Sequence, residues 1–412
     1  MEQQRIQNGL WGLFIGDSLA MPAHWYYNID NIKTDFNGAI KDYQSPPHPH
    51  PESFMVGMDY HPDLESANKS GRLYDILHDH VRFYDTPYST LAIEIHEQET
   101  EHGNRAPNKE NRFHYHHGLV RGENTLGAHL VRVLMRSVIN GGRYADQPFL
   151  EDFIDHMTTP GLNRDPYTEI YLRRWFENYA LGLPVHCCAG MQRAVWSIGS
   201  LGGCIRPLVV ALLAASAYQG LGLAIEHQNL THRSENVSSA LHILIPLLFD
   251  LASGHDSSAA LHKYAGLVHA PKIRGDELFA MYRKNNGPGN IPKEIMWQLH
   301  TQLEREPLDL EEIADLPEDT MVEKLATACY PEHGLPLLLS LMKKHDFAVK
   351  DSLLANANAG GDNVHRGMIM GLLVGAAAKE IPGDLIEGLK DYQELGKEIK
   401  AFSEMAVTGS NF

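Results

Sequence analysis

Two segments near opposite ends of the chain carry glycines at helical spacing. Residues 5–21 place Ile6, Leu10, Leu13 and Phe14 on one side and Gly9, Gly12 and Gly16 on another. Residues 366–379 carry Gly367, Gly371 and Gly375 at i, i+4 and i+8. Glycine costs up to about 1 kcal/mol per helical position relative to alanine. Three in register therefore predict a groove where the backbone of another helix comes close. Helical patterns recur between these ends. Leu126, Leu130, Val133, Leu134 and Val138 share one face of a helix beginning near Asn124. Further helices are expected at about 207–224, 236–252, 308–315, 321–329, 335–345 and 347–357. No convincing run of alternating β-branched residues appears, so the expected architecture is all-α.

One stretch breaks the pattern. From about Trp25 to His117 prolines cluster at Pro46, Pro47, Pro49 and Pro51, interleaved with His48 and His50. Proline removes backbone donors and blocks helix. The region 25–117 reads as a loop-rich insertion with short helices near 73–84 and 89–98, either a lid over a site or a surface elaboration. No linker splits residues 1–412, which read as one domain. Asp165-Pro166 looks like a helix start. Tyr167, Tyr171, Trp175 and Tyr179 follow at four-residue spacing and read mainly as core.

Charge narrows the function. The formal net charge is −17, the wrong sign for a protein that neutralises nucleic-acid phosphates or anionic membranes. A small anionic ligand is still allowed, because backbone N–H groups and a few arginines hold phosphates locally. Four cysteines without a CxxC fit a reducing, cytoplasmic setting better than a disulfide framework. The N-terminus, Met1-Glu2-Gln3-Gln4-Arg5, lacks the basic region of a signal peptide. The 24 histidines direct attention to imidazole chemistry. HExxH, the P-loop and the G-x-S-x-G elbow are all absent. Two polar segments stand at expected helix starts: Gly122-Glu123-Asn124-Thr125 and Gly360-Gly361-Asp362-Asn363-Val364-His365. Such positions favour negative charge. Asn124 and Asp362 could equally be simple N-caps. Asp17, in an apolar glycine-rich helix, calls for a hydrogen-bond partner on another helix end or a place beside the site.

Five motifs in order resemble the ADP-ribosylglycohydrolase family. Residues Gly12 to His24 (GLFIGDSLAMPAH) are similar to its opening GDALG-x-P motif. Gly122-Glu123-Asn124-Thr125 falls at its [ST]-D-D-T motif. Gly190 to Gly199, with Arg193, is similar to a glycine-rich segment, and Leu230-Thr231-His232 to an L-T-H. Gly361-Asp362-Asn363-Val364-His365, followed by Gly371 and Gly375, falls at G-G-D-T-D-T…G…G-A. The resemblance implies an orthogonal multi-helix bundle. It also implies two Mg²⁺ ions between the helix starts, a water attacking the anomeric carbon of an ADP-ribosyl group, and an assisting Glu after the first motif.

This chain departs at the metal-binding positions. The hydroxyl position is Gly122, and the paired aspartates are Glu123 and Asn124. The second Asp of the last motif is Val364, its Thr is His365, and the assisting Glu is His24. Glu123 and Asp362 offset only half the charge of two Mg²⁺, so the usual dinuclear site is not expected. The expected centre is a mixed nitrogen–oxygen cluster of Glu123, Asn124, Asp362 and His365, with His24 as acid or base. It works either with one divalent ion such as Zn²⁺ or without metal. Phosphates of an ADP-ribosyl-type substrate would meet backbone N–H groups around Gly190–Gly203, and the expected ligand-binding residues are Asn124, Gly190, Arg193, Gly199, Gly202 and Gly361. The expected function is hydrolysis of a ribosyl N- or O-glycosidic bond. The alternative is an ADP-ribose- or nucleotide-binding relative without turnover.

Overall fold

The structure is a computed structural model that describes residues 1–53, 60–81, 113–190, 199–272, 275–287, 295, 305–325 and 327–408. Residues 54–59 and 82–112 of the expected insertion lie outside it, as do the helix expected at 89–98 and Arg193. The regular secondary structure of the described part is almost wholly helical. In chain order the helices are α1 (Gln3–Ala20), α2 (Ile29–Asp35), α3 (Leu64–Ser70), α4 (Leu126–Gly141), α5 (Asp146–Thr158), α6 (Ile170–Ala180), α7 (Gly202–Ala211), α8 (Ala217–Thr231) and α9 (Glu235–Ala252). They continue with α10 (Ser257–Ala265), α11 (Gly275–Asn286), α12 (Leu310–Asp315), α13 (Glu318–Leu325), α14 (Pro331–Lys344), α15 (Val349–Asn358), α16 (Asn363–Ala377), α17 (Gly383–Glu387) and α18 (Tyr392–Thr408). One short antiparallel pair, β1 (His269–Pro271) with β2 (Arg305–Pro307), places Ala270 opposite Glu306.

Helices α1 and α16 form the centre, and their glycines explain how. A Cβ on Gly12 would stand 2.0 Å from the Gly371 carbonyl oxygen, and one on Gly371 would stand 1.9 Å from that of Gly12. Gly16 faces Gly367 and Gly375 faces Asn8 in the same way. The order of these pairs makes the helices antiparallel. The end of α1 is thereby delivered to the start of α16, which brings residues 24 and 362 together across the fold.

The remaining helices wrap this pair. Helix α18 is tied to α4 by Glu398, which accepts two hydrogen bonds from Arg132, both at 2.9 Å, and others from Arg136. Helix α9 is long and apolar enough to cross a membrane, but Leu241, Leu244, Ile245 and Leu248 are buried in the core. The helix expected over 207–224 is two helices. Chain between Leu212 and Ser216 breaks it, and the Ser216 hydroxyl accepts from Gln219 N to start α8. Near 73–84 the described residues hold only a 3-10 turn, His78–Val81.

Helices α4 and α5 bring two half-buried imidazoles together, His129 and His156, with ring centroids 6.3 Å apart. Burial pushes both down to about 4; Arg132 and Arg136 act in the same direction on His129, and Arg136 on His156. The unfolded chain therefore binds more protons below about pH 6.5. The stability contributed by these neutral rings is complete above that pH and is lost as pH falls towards 4. The urea midpoint should drop between pH 7.5 and pH 5, and should drop less in His129→Gln/His156→Gln. An equal drop in the double variant would count against this account.

Candidate active site

Gly360 and Gly361 both have φ +62°. A side chain there is strained in this left-handed region, and a Cβ would meet the Tyr26 carbonyl at Gly360 or Thr327 at Gly361. This turn locks the two helix ends together. Trp25 N donates to Gly361 O at 2.8 Å, and Gly361 N donates to Tyr26 O at 2.6 Å. Arg366, fully buried, braces the turn from behind by donating to Gly360 O and to Asn356. Asp362 occupies the N-cap position of α16, yet its side chain makes no cap bond. A capping carboxylate would stabilise the helix by about 1 kcal/mol. Here the carboxylate turns sideways instead.

It meets two imidazoles. His24 Nε2 stands 3.2 Å from Asp362 Oδ1. His365 Nδ1 stands 2.7 Å from the same oxygen, as an ion pair. His24 and Asp362 are completely buried and His365 is nearly so. Among the described residues Asp362 Oδ2 is buried with no hydrogen-bond partner. The outer edges of both rings are also held. His24 Nδ1 lies 2.7 Å from His116 Nε2, and His116 Nδ1 lies 2.9 Å from Asp165 Oδ1. His365 Nε2 lies 3.3 Å from Glu169 Oε1, while Ser200 donates to the other Glu169 oxygen at 2.5 Å. The result is one buried line of groups: Asp165, His116, His24, Asp362, His365, Glu169. Trp25 stacks on His24 at 4.8 Å between centroids, and Tyr167 meets its face edge-on at 5.5 Å.

The electrostatics split the two inner histidines. Burial pushes His24 down to about 3, against the pull of its bond to Asp362, so it is neutral. Burial opposes charge on His365 as well, but the Asp362 and Glu169 carboxylates overcome it and raise the ring to about 10. Burial would raise Asp362, yet the His365 cation and the bond to His24 hold it below the usual carboxylate range.

The other expected site residues stand apart from this cluster. Glu123 accepts from Val120 N, Arg164 and Lys390 at 2.6–2.8 Å. Its carboxylate holds a surface turn together and does not join Asp362. Asn124 donates to Phe14 O and to Asp17 Oδ2, both at 2.8 Å. Neither Asn124 nor Asp362 acts as a cap, which corrects that simpler reading. Asp17 is the partner of another helix end: it also accepts from Thr125 N and Thr125 Oγ1. Replacing Asp17 with alanine orphans these buried donors and should cost about 3–5 kcal/mol by urea denaturation. A loss below about 1 kcal/mol would refute that structural role.

Gly202 lies against Glu169, whose carboxylate fills the space at the start of α7. Gly190 bridges to His232 instead of facing the cluster, and Gly199 is buried next to Ser200. His232 packs its ring against Gly203 and contacts Thr231 at the end of α8. The segment 191–198 with Arg193 lies outside the described residues.

His116, Asp165 and Glu169 are the members that sequence patterns do not assign. The signals were present in His114-Tyr115-His116-His117 and in Asp165-Pro166. Asp165, however, does not begin its own helix, which starts at Ile170. It accepts instead from Leu126 N, at the start of α4.

A dinuclear magnesium centre does not fit these residues. Mg²⁺ takes oxygen donors, and the inner cluster offers one carboxylate and two imidazoles. Val364 supplies no oxygen. Glu123, Asn124 and Thr125 are bound elsewhere.

An all-α bundle whose two central helix ends enclose a buried acid–imidazole cluster invites comparison with known proteins. A family model described as ADP-ribosylglycohydrolase matches residues 83–410. The chain belongs to the ADP-ribosylglycohydrolase family. The match begins after α1, so the likeness of Gly12–His24 to the opening motif rests on those residues themselves. Among solved structures, one chain of an "ADP-ribosylglycohydrolase-related protein complex" is similar, with a TM-score of 0.50, 15% identity and 98% of each chain covered. That likeness concerns the fold. No curated protein matches the sequence significantly.

Proposed function

We propose that this chain hydrolyses a ribosyl N- or O-glycosidic bond of the ADP-ribosyl type, with the reacting carbon beside Asp362. The observation that carries the reading is Asp362 Oδ2, a buried carboxylate oxygen without a hydrogen-bond partner among the described residues. Its other oxygen is held between His24 and His365. Hydrolysis at an anomeric carbon passes through an oxocarbenium-like state that needs negative charge close by. Asp362 supplies that charge and orients the water. Water adding to such a carbon becomes acidic, so a weak base suffices to take its proton. Asp362 Oδ2 takes it first and passes it on to the nitrogen or oxygen that leaves as its bond to the anomeric carbon breaks. His24 steadies Oδ1, and His116 with Asp165 behind it stabilises positive charge that reaches His24, as in other carboxylate–imidazole relays. His365 keeps Asp362 ionised between turnovers.

The test uses the full chain with ADP-ribosylated arginine and serine peptides, with and without chelator, and measures ADP-ribose affinity in parallel. Release of ADP-ribose from either peptide supports the reading. Binding without product supports the alternative, a binding relative without turnover. Neither binding nor product removes the ADP-ribosyl assignment.

A further inference from the structure

The inner cluster is backed on both sides by further polar groups. Three contacts point outward from the inner histidines and their support: His116 to Asp165, His24 to His116, and His365 to Glu169. On the inner side of those contacts His24 Nε2 and His365 Nδ1 converge on Asp362 Oδ1, at 3.2 and 2.7 Å. The three residues are buried, and one donor atom from each lies within 4.8 Å of the others. Among the described residues Asp362 Oδ2 has no hydrogen-bond partner. A divalent cation bound among these atoms would take the place of the ring protons facing Asp362.

We propose that His24, His365 and Asp362 form a mononuclear Zn²⁺ site, in place of a magnesium pair. The site rests on the same cluster as the proposed hydrolase reading and supplies the metal class for it. Two nitrogens and one carboxylate oxygen are the donor set of a catalytic zinc site, which leaves the fourth position open for water. Ligands at about 2.0–2.1 Å from a tetrahedral ion stand about 3.3 Å from one another. The contacts of 3.2 and 2.7 Å around Asp362 Oδ1 lie close to that spacing, and all three donor atoms lie within 4.8 Å of one another. The outer contacts complete the pattern. Metal-binding histidines commonly donate their second N–H towards a carboxylate, which fixes tautomer and ring orientation. Glu169 does this for His365, and Asp165 does it for His24 through His116. Nitrogen donors also discriminate against Mg²⁺.

The experiment is calorimetric titration of the metal-stripped full chain with ZnCl2, MgCl2 and CoCl2, alongside the d–d absorption of the Co²⁺ form. The expected result is one equivalent of Zn²⁺ bound with sub-micromolar Kd, no matching Mg²⁺ binding, and a Co²⁺ spectrum of tetrahedral intensity. His365→Gln and His24→Gln should each weaken Zn²⁺ at least about 100-fold and abolish the Co²⁺ band. Asp165→Asn, which touches no ligand atom, should weaken it about 10- to 100-fold. Circular dichroism of each variant separates lost binding from lost fold; Asp165→Asn keeps the donors intact if a histidine variant unfolds. Two equivalents of Mg²⁺ with no Zn²⁺ preference would overturn the proposal. So would Zn²⁺ binding unchanged by the variants, which would place it on other histidines, and so would a wild-type chain that binds no Zn²⁺. Metal binding is read without turnover. Zinc bound without hydrolysis therefore fails the hydrolase reading alone, and hydrolysis without zinc fails the metal site alone.

Discussion

Asp362→Asn is expected to lower the rate of ADP-ribosyl hydrolysis by at least about 10³-fold, while the thermal midpoint stays within a few degrees of wild type. A factor of 10³ corresponds to about 4 kcal/mol of transition-state stabilisation. That is a reasonable share for a buried charge facing a developing oxocarbenium centre. The fold should survive because the amide keeps the volume of the acid. The oxygen opposite His24 is retained, and the turn is held by backbone bonds that do not involve the side chain: Trp25 N to Gly361 O, Gly361 N to Tyr26 O and Asp362 N to Thr327 O. The loss should appear mainly in kcat, since the interaction strengthens only as positive charge develops. A variant with full turnover would remove Asp362 from the reacting centre. A variant that simply unfolds would recast it as structural, and a structural role predicts no split between kcat and KM.

Gly371→Leu is expected to have the largest effect on stability. The α1–α16 crossing leaves no room for a first side-chain carbon, and the atoms in the way are backbone atoms of Gly12 and Leu13. Neither can rotate aside. Overpacking a core commonly costs about 1–3 kcal/mol and occasionally more. A backbone clash at the central crossing belongs at or beyond the top of that range. Urea denaturation should show a loss of about 3 kcal/mol or more, or a chain that fails to fold. The control is Gly222→Ala in α8, a helical glycine whose added Cβ would meet nothing within 4 Å. There alanine should stabilise by about 0.5–1 kcal/mol through backbone entropy. Opposite signs at two helical glycines would show that the crossing, and not glycine content, requires Gly371. Equal effects would contradict the close approach.

The same crossing explains why much of the architecture was legible in the sequence. Glycines at i, i+4 and i+8 have a single economical explanation in a helical chain, and Gly367, Gly371 and Gly375 obey it. Once α1 and α16 are antiparallel neighbours, His24 must fall near Asp362 and His365, so this juxtaposition was legible too. Glu123 was misplaced for a different reason. Motif order gives the position of a residue along the chain but not the direction of its side chain. Glu123 turns to Val120 N, Arg164 and Lys390, and two of those partners are far away in sequence. His116, Asp165 and Glu169 sit in chain without regular periodicity. Their roles arise from packing between segments, which spacing cannot express. The break between α7 and α8 was hidden because its residues are apolar, Leu212 to Ala215, and continue the hydrophobic run.

The most direct measurement of the central claim is a crystal structure of the full chain with ADP-ribose, read for the position of the distal ribose. The account predicts its anomeric carbon beside Asp362 Oδ2, with His24 and His365 on the far side of the carboxylate. ADP-ribose held elsewhere, with Asp362 still enclosed by its two histidines, would contradict it.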